Sequence, residues 1–247
     1  MKFNSKIVVL GLFILLAVAA GHTAYADNPS MAVTQGEHGV TLWDLLKAGG
    51  WTMLVLGILS FVATALIVYN FMTIKVDVLA PQKFTEDLIQ RLESRDDKGV
   101  RAMCSKKSNI IAAIALEGFE RRSKGKLIVR EAMENTARRE IGKLWQNITY
   151  LGDIATIAPL LGLLGTTLGM IQAFNVISYA GASLKPIMLV GGISKALVTT
   201  AAGLIVAVPV LSFYSFFRGK VQEISDQVER YAMDIMKLVE ESATAKN

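Results

Sequence analysis

Residues 158–174, Ala-Pro-Leu-Leu-Gly-Leu-Leu-Gly-Thr-Thr-Leu-Gly-Met-Ile-Gln-Ala-Phe, decide the fold. They lie in a stretch from Ile154 to Leu184 that holds no Asp, Glu, Lys or Arg, and the stretches Ala48 to Ile74 and Ala196 to Phe217 share that property. Each exceeds the ~20 apolar residues a helix needs to cross a bilayer. A helix buried in a soluble core is the competing reading. Three such runs in 247 residues, of which 52% are hydrophobic and only 19% charged, go beyond what a soluble core contains. The expected fold is an all-α membrane protein with three transmembrane helices, at 51–73, 151–177 and 187–217.

The first apolar run is of another kind. Ile7 to Ala20 comes after a basic front of Lys2 and Lys6, and Ala24-Tyr25-Ala26 supplies small residues where a signal peptidase cuts. Residues 1–26 read as a cleaved secretory signal, with an uncleaved anchor as the alternative. Either one puts the segment from Asp27 onward outside the cytoplasm. Lys and Arg then concentrate between Lys75 and Lys143, whereas Asp27 to Gly50 has Lys47 alone, so the larger loop is the cytoplasmic one. The expected order is a periplasmic segment 27–50, a cytoplasmic helical loop 74–150, a periplasmic turn 178–186 and a cytoplasmic helical tail 218–247. Leu42 to Leu46, with Trp43 and Trp51, reads as a short helix at headgroup level. This places the chain in a bacterial inner membrane, mature N-terminus periplasmic and C-terminus cytoplasmic. The formal charge of +5 arises from the inside-facing basic residues and points to lipid headgroups, not nucleic acid.

Catalytic parts are scarce. His22 leaves with the signal and His38 is the other histidine; Cys104 is the lone cysteine, and no phosphate loop, metal-spaced cluster or nucleophile constellation is present. No cofactor, metal or enzymatic activity is expected. The extramembrane segments carry helical patterns. Leu88 and Leu92 mark one after Pro81, and a gap near Asp97 to Gly99 ends it. Ile128, Ala132, Ala137, Ile141, Leu144 and Ile148 mark a second that runs on into the second span. In the tail Val221, Ile224, Val228, Tyr231, Ile235 and Leu238 alternate spacings of three and four, a seam that needs a partner in the same subunit or in an adjacent one.

The second and third spans differ from the first in composition. Pro159, Gly162, Thr166, Gly169 and Ala173 project onto one stripe, and Ala196, Thr200, Gly203 and Ala207 onto another, with Gly165 and Gly169 forming a GxxxG pair and Pro209 closing the second run. Dense helix packing accounts for such stripes, and so does a pore lined by hydroxyls.

Ala158–Phe174 and Gly192-Ile-Ser-Lys-Ala-Leu-Val-Thr-Thr-Ala-Ala-Gly-Leu-Ile-Val-Ala-Val-Pro209 resemble the two hallmark helices of the MotA/TolQ/ExbB proton-channel family. The three-span pattern resembles its ExbB and TolQ branch, and the cleaved signal with a periplasmic extension resembles ExbB in particular. The resemblance implies a ring-forming homo-oligomer, a homopentamer, around the single-span helices of two ExbD-like partners. A partner aspartate would carry the proton, and a TonB-like protein would receive the motion. It implies that Thr166 and Thr200 line the proton path, while Pro159, Gly162, Gly165, Gly169, Gly203 and Pro209 shape the packing. Lys195 departs from the pattern, standing where the branch has a glutamate. It is either a pore charge or a rim charge that snorkels outward. A TolQ-type or motility motor subunit, and from other classes a self-contained channel or a membrane scaffold, remain alternatives; the pathway energised is left open.

Overall fold

A computed structural model describes residues 50–106, 109–180 and 186–244, with the side chains of 176–191, Lys195 and those beyond 239 left out. The expected signal, the segment 27–49 with its Leu42–Leu46 helix, and most of the 178–186 turn lie outside the described residues. Those described are all helix and short connection, with no strand among them. The elements are α1 (Trp51–Thr73), α2 (Val76–Leu79), α3 (Gln82–Glu93), α4 (Asp97–Lys106), α5 (Ile110–Arg121), a 3-10 turn (Arg122–Lys124), α6 (Lys126–Ala180) and α7 (Pro186–Thr244).

Three helices are long and apolar enough to cross a membrane: α1, with mean hydropathy 2.3, a stretch of α6 within 126–175, and a stretch of α7 within 192–239. At most a third of each apolar window is buried inside the chain, so most of each is left uncovered by the chain itself. Pro159 and Pro209 lie inside α6 and α7. Each lacks an N–H, which leaves the carbonyls of Ala155 and Ile205 without their helical donors. Both helices continue past the proline because their other backbone groups are satisfied internally, as lipid requires.

The chain forms two compact units. The first takes residues up to Ile67 and Tyr150–Tyr214; the second takes Val68–Thr149 and the rest of the chain from Ser215. In the first, Leu56 of α1 meets Ala158 of α6 and Ala207 of α7, with Met53, Leu161 and Val206 around them. α1 lacks a polar face, yet it has a buried one. Thr52, Leu56, Ala63 and Asn70 fall on a single stripe and are 3%, 2%, 1% and 0% exposed.

The second unit has an aliphatic core. Leu88 of α3, Val100 of α4, Ile111 and Ile114 of α5, and Val129 and Met133 of α6 are all essentially buried. Two of its helices, α4 and α5, lie within the expected helical loop but have no pattern of their own, and the gap expected near Asp97 to Gly99 is instead the first turn of α4, the break falling at residues 94–96. Asn109 caps α5, its Oδ1 accepting the Ala112 N–H at 2.7 Å. Gly125 turns the chain into α6 with φ of 101°, a value glycine adopts without strain. Arg122 donates to both carboxylate oxygens of Asp97, one at 2.7 Å, and lies 4.0 Å over the Phe119 ring, tying α4 to the end of α5.

The tail seam is buried by the same chain. Val221, Ile224, Val228 and Ile235 are 0% exposed. Farther along it shifts by one residue: Ala232 and Val239 are buried, while the expected Tyr231 and Leu238 are half-buried. A helix of 3.6 residues per turn drifts against a strict seven-residue repeat, so the buried stripe advances around it. α6 shows the same displacement, with Val129 buried and Ile128 exposed.

Candidate functional site

The small residues of α6 and α7 meet in the first unit. A β-carbon added at Gly162 would lie 2.9 Å from the Thr199 carbonyl oxygen and 3.0 Å from Thr200 Cα. One at Gly203 would lie 2.7 Å from the Ala158 carbonyl oxygen and 3.2 Å from Gly162 Cα. Gly169 faces Ala196, where the equivalent approach is 3.0 Å, and Gly165 faces the Thr199 side chain. The two backbones thus touch along several turns, which any residue larger than glycine would prevent. Glycine costs a helix up to ~1 kcal/mol relative to alanine, and close approach of two helices offsets that cost in lipid, where apolar burial gives no drive.

The seam sorts the threonines. Thr199, 1% exposed, lies inside it and donates to the Ala196 carbonyl at 2.7 Å, with the Gly162 carbonyl at 3.4 Å. Thr200, half-buried at the margin, donates across the seam to the Gly162 carbonyl at 3.1 Å. Thr166, also half-buried, donates to the Leu163 carbonyl of its own helix at 2.7 Å, and exposed Thr167 does the same to Leu164 at 2.8 Å. Each hydroxyl commits its proton to a backbone carbonyl and keeps lone pairs that can accept. Pro159 and Pro209 are half-buried, and the backbone of Lys195 lies in α7, its side chain being outside the described ones.

Thr199 is the member the stripe projection passes over. It stands three residues after Ala196 and four before Gly203, so the same periodicity was enough to place it on the packed face. A small cleft of about 50 Å³ opens beside it, lined by Gly50, Trp51, Thr52, Gly165, Gly169 and Gln172. No group of three metal-ligating side chains occurs among the described residues.

Residues 106–230, half of the chain, match the MotA/TolQ/ExbB proton channel family. The ExbB-like 3 biopolymer transport protein of Synechocystis is 30% identical over 74% of this chain and 90% of its own length. An ExbB homolog of Methanothermobacter thermautotrophicus is 26% identical over 76% and 67%, and the Tol-Pal system protein TolQ of Haemophilus influenzae is 30% identical over 47% and 50%. The solved structure of C. jejuni MotAB shares the fold, with a TM-score of 0.59 over 99% of this chain and 94% of that one at 14% identity.

Proposed function

The chain belongs to the MotA/TolQ/ExbB proton channel family, and from that premise we propose that it is the ExbB-like channel subunit of an inner-membrane energy-transducing complex. In this reading five copies ring two single-span ExbD-like helices, and proton flow through the ring drives a TonB-like protein that works on outer-membrane transport. The mature N-terminus is periplasmic, and the basic loop and the tail are cytoplasmic. The named ExbB relatives favour this branch; the TolQ relative favours envelope maintenance as the second reading.

The observation that carries the site is the sorting of the threonines. Thr166 and Thr200 are only half-buried beside the packed seam, and both keep acceptor capacity. A protonated carboxyl of a partner can donate to either hydroxyl as it stands. After losing its proton the carboxylate needs a donor, which a hydroxyl supplies by rotating off its backbone carbonyl. Such alternation suits a proton carrier within a membrane, where an unpaired charge is costly. Lys195 belongs to the same helix one turn before Thr199, and we assign it a rim or pore position open to test.

The expected result is that Thr166→Val and Thr200→Val each abolish partner-dependent energy transduction while the assembly keeps its mass. Thr200→Ser, which preserves the bond to Gly162, retains it. Intact transduction in both valine variants of an assembled complex would sink the assignment. Co-purification with the single-span partner, combined with native mass measurement, tests the five-to-two ring.

A further inference from the structure

Thr199 is larger than its place in the seam requires. Its neighbours on the packed face of α7, Ala196 and Gly203, are small, and a β-carbon at Gly165 would lie 2.5 Å from the Thr199 Oγ1 and 2.6 Å from its Cβ. The seam thus gives up a side chain on α6 to seat this one. Alanine would pack at 199 with no hydroxyl to satisfy. What threonine adds is a donor at a particular spot. Its Oγ1 donates to the Ala196 carbonyl at 2.7 Å and lies 3.4 Å from the Gly162 carbonyl, the same oxygen to which Thr200 donates at 3.1 Å. Within a regular helix the Gly162 carbonyl already accepts the Thr166 N–H, which leaves one lone pair for two hydroxyls. Thr200 holds it, and Thr199 turns its proton to Ala196.

We infer that Thr199 is a positioning residue that takes over the Gly162 carbonyl when Thr200 turns its proton toward the partner's carboxylate. The inference rests on the reading of Thr200 given above and adds a second residue to it. The exchange needs the Thr199 hydroxyl hydrogen to rotate and the two oxygens to close by about half an ångström, to an ordinary hydrogen-bond length. The Ala196 carbonyl keeps its own helical donor, the Thr200 N–H, so nothing is stranded. Without the Thr199 hydroxyl, each turn of Thr200 would cost the two helices the bond that joins them at this level, and the carboxylate would be held less well by that amount. Neither α1 nor α6 from Ile154 to Asn175 carries a charged side chain that could compete for the hydroxyl, and Lys195 of α7 is left unchanged in every variant below.

The test is proton flux into proteoliposomes that carry the full chain assembled with its single-span partner, measured across pH for wild type, Thr199→Val, Thr199→Ser and Thr200→Val. Thr199→Val is expected to slow flux about 3–10-fold and to move the midpoint of the pH profile upward by about 0.5–1 unit, because a carboxylate with weaker support from Thr200 gives up its proton less readily. Thr199→Ser keeps the hydroxyl and is expected to stay within about twofold of wild type. A role in packing alone predicts the reverse order, since valine keeps the branched shape that serine gives up. That reverse order, or a Thr199→Val with the rate and midpoint of wild type, overturns the inference, while an inactive Thr200→Val leaves the channel reading standing. Full flux through Thr200→Val removes the channel reading and this inference with it. Where valine prevents assembly, Thr199→Ala against Thr199→Ser isolates the hydroxyl: the same slowing and shift are expected of alanine, and equal flux in the two overturns the inference.

Discussion

The face along which α6 and α7 touch in the first unit is made of small residues, whereas in the second unit the same two helices bury mostly large ones. In the first unit α6 turns Ala158, Gly162, Gly165, Gly169 and Ala173 inward, and α7 answers with Ala196, Thr199, Gly203 and Ala207. In the second unit the inward positions of α6 are Val129, Met133, Leu144 and Ile148, and those of α7 are Phe217, Val221, Ile224, Val228 and Ile235. The contrast arises from the solvent. In water each buried methylene contributes about 0.8 kcal/mol, so large side chains hold a core together. In lipid that term vanishes between apolar surfaces, and association depends on backbone proximity and interhelical hydrogen bonds such as Thr200 to Gly162.

Ile224→Ala, at a site 0% exposed, should break the aliphatic half most severely, with a loss of about 2–5 kcal/mol. Limited proteolysis of the tail and the unfolding midpoint measure it. The second unit should also show a pH dependence. Burial pushes the Cys104 thiol from 9.0 to about 11, so the folded state holds a proton that the unfolded chain releases earlier. The stability this provides is whole below about pH 8.5–9 and is lost as pH rises toward 11. Cys104→Ala should flatten that part of the pH profile, and at pH 8 wild-type Cys104 should resist maleimide until the protein unfolds.

On the seam the danger is addition, not removal. Gly203→Ala, which puts a methyl against the Ala158 carbonyl and Gly162, should cost about 1–3 kcal/mol and weaken assembly in native mass measurements. Gly142→Ala, where an added carbon meets nothing, should instead stabilise by about 0.4–1 kcal/mol through helix propensity and the unfolded chain. If both glycines responded alike, the distinction between the two halves would fail.

Much of this was legible from residues alone. Runs without charge locate the three apolar helices, because a charge inside lipid is too costly to be incidental. The stripes of Gly162, Gly169, Ala196 and Gly203 were visible as periodicity, since a helix repeats its faces every 3.6 residues. The helices α4 and α5 were not legible. Their signals are short, and Asn109 shows itself as a cap only once the helix after it is known. The choice between Tyr231 and Ala232, or between Leu238 and Val239, also lay beyond a repeat count.

By itself, then, the sequence determined where the long apolar helices lie, which helix faces carry small residues, and the family to which those faces belong, because each is a property of composition and spacing along one helix. Only the tertiary structure decided that the tail seam is covered by its own chain, that Thr199 lies inside the packed seam while Thr166 and Thr200 stay at its margins, and that Asn70 is enclosed. Those facts depend on which faces of separate helices meet and how closely, and that is set by contacts between residues far apart in the chain.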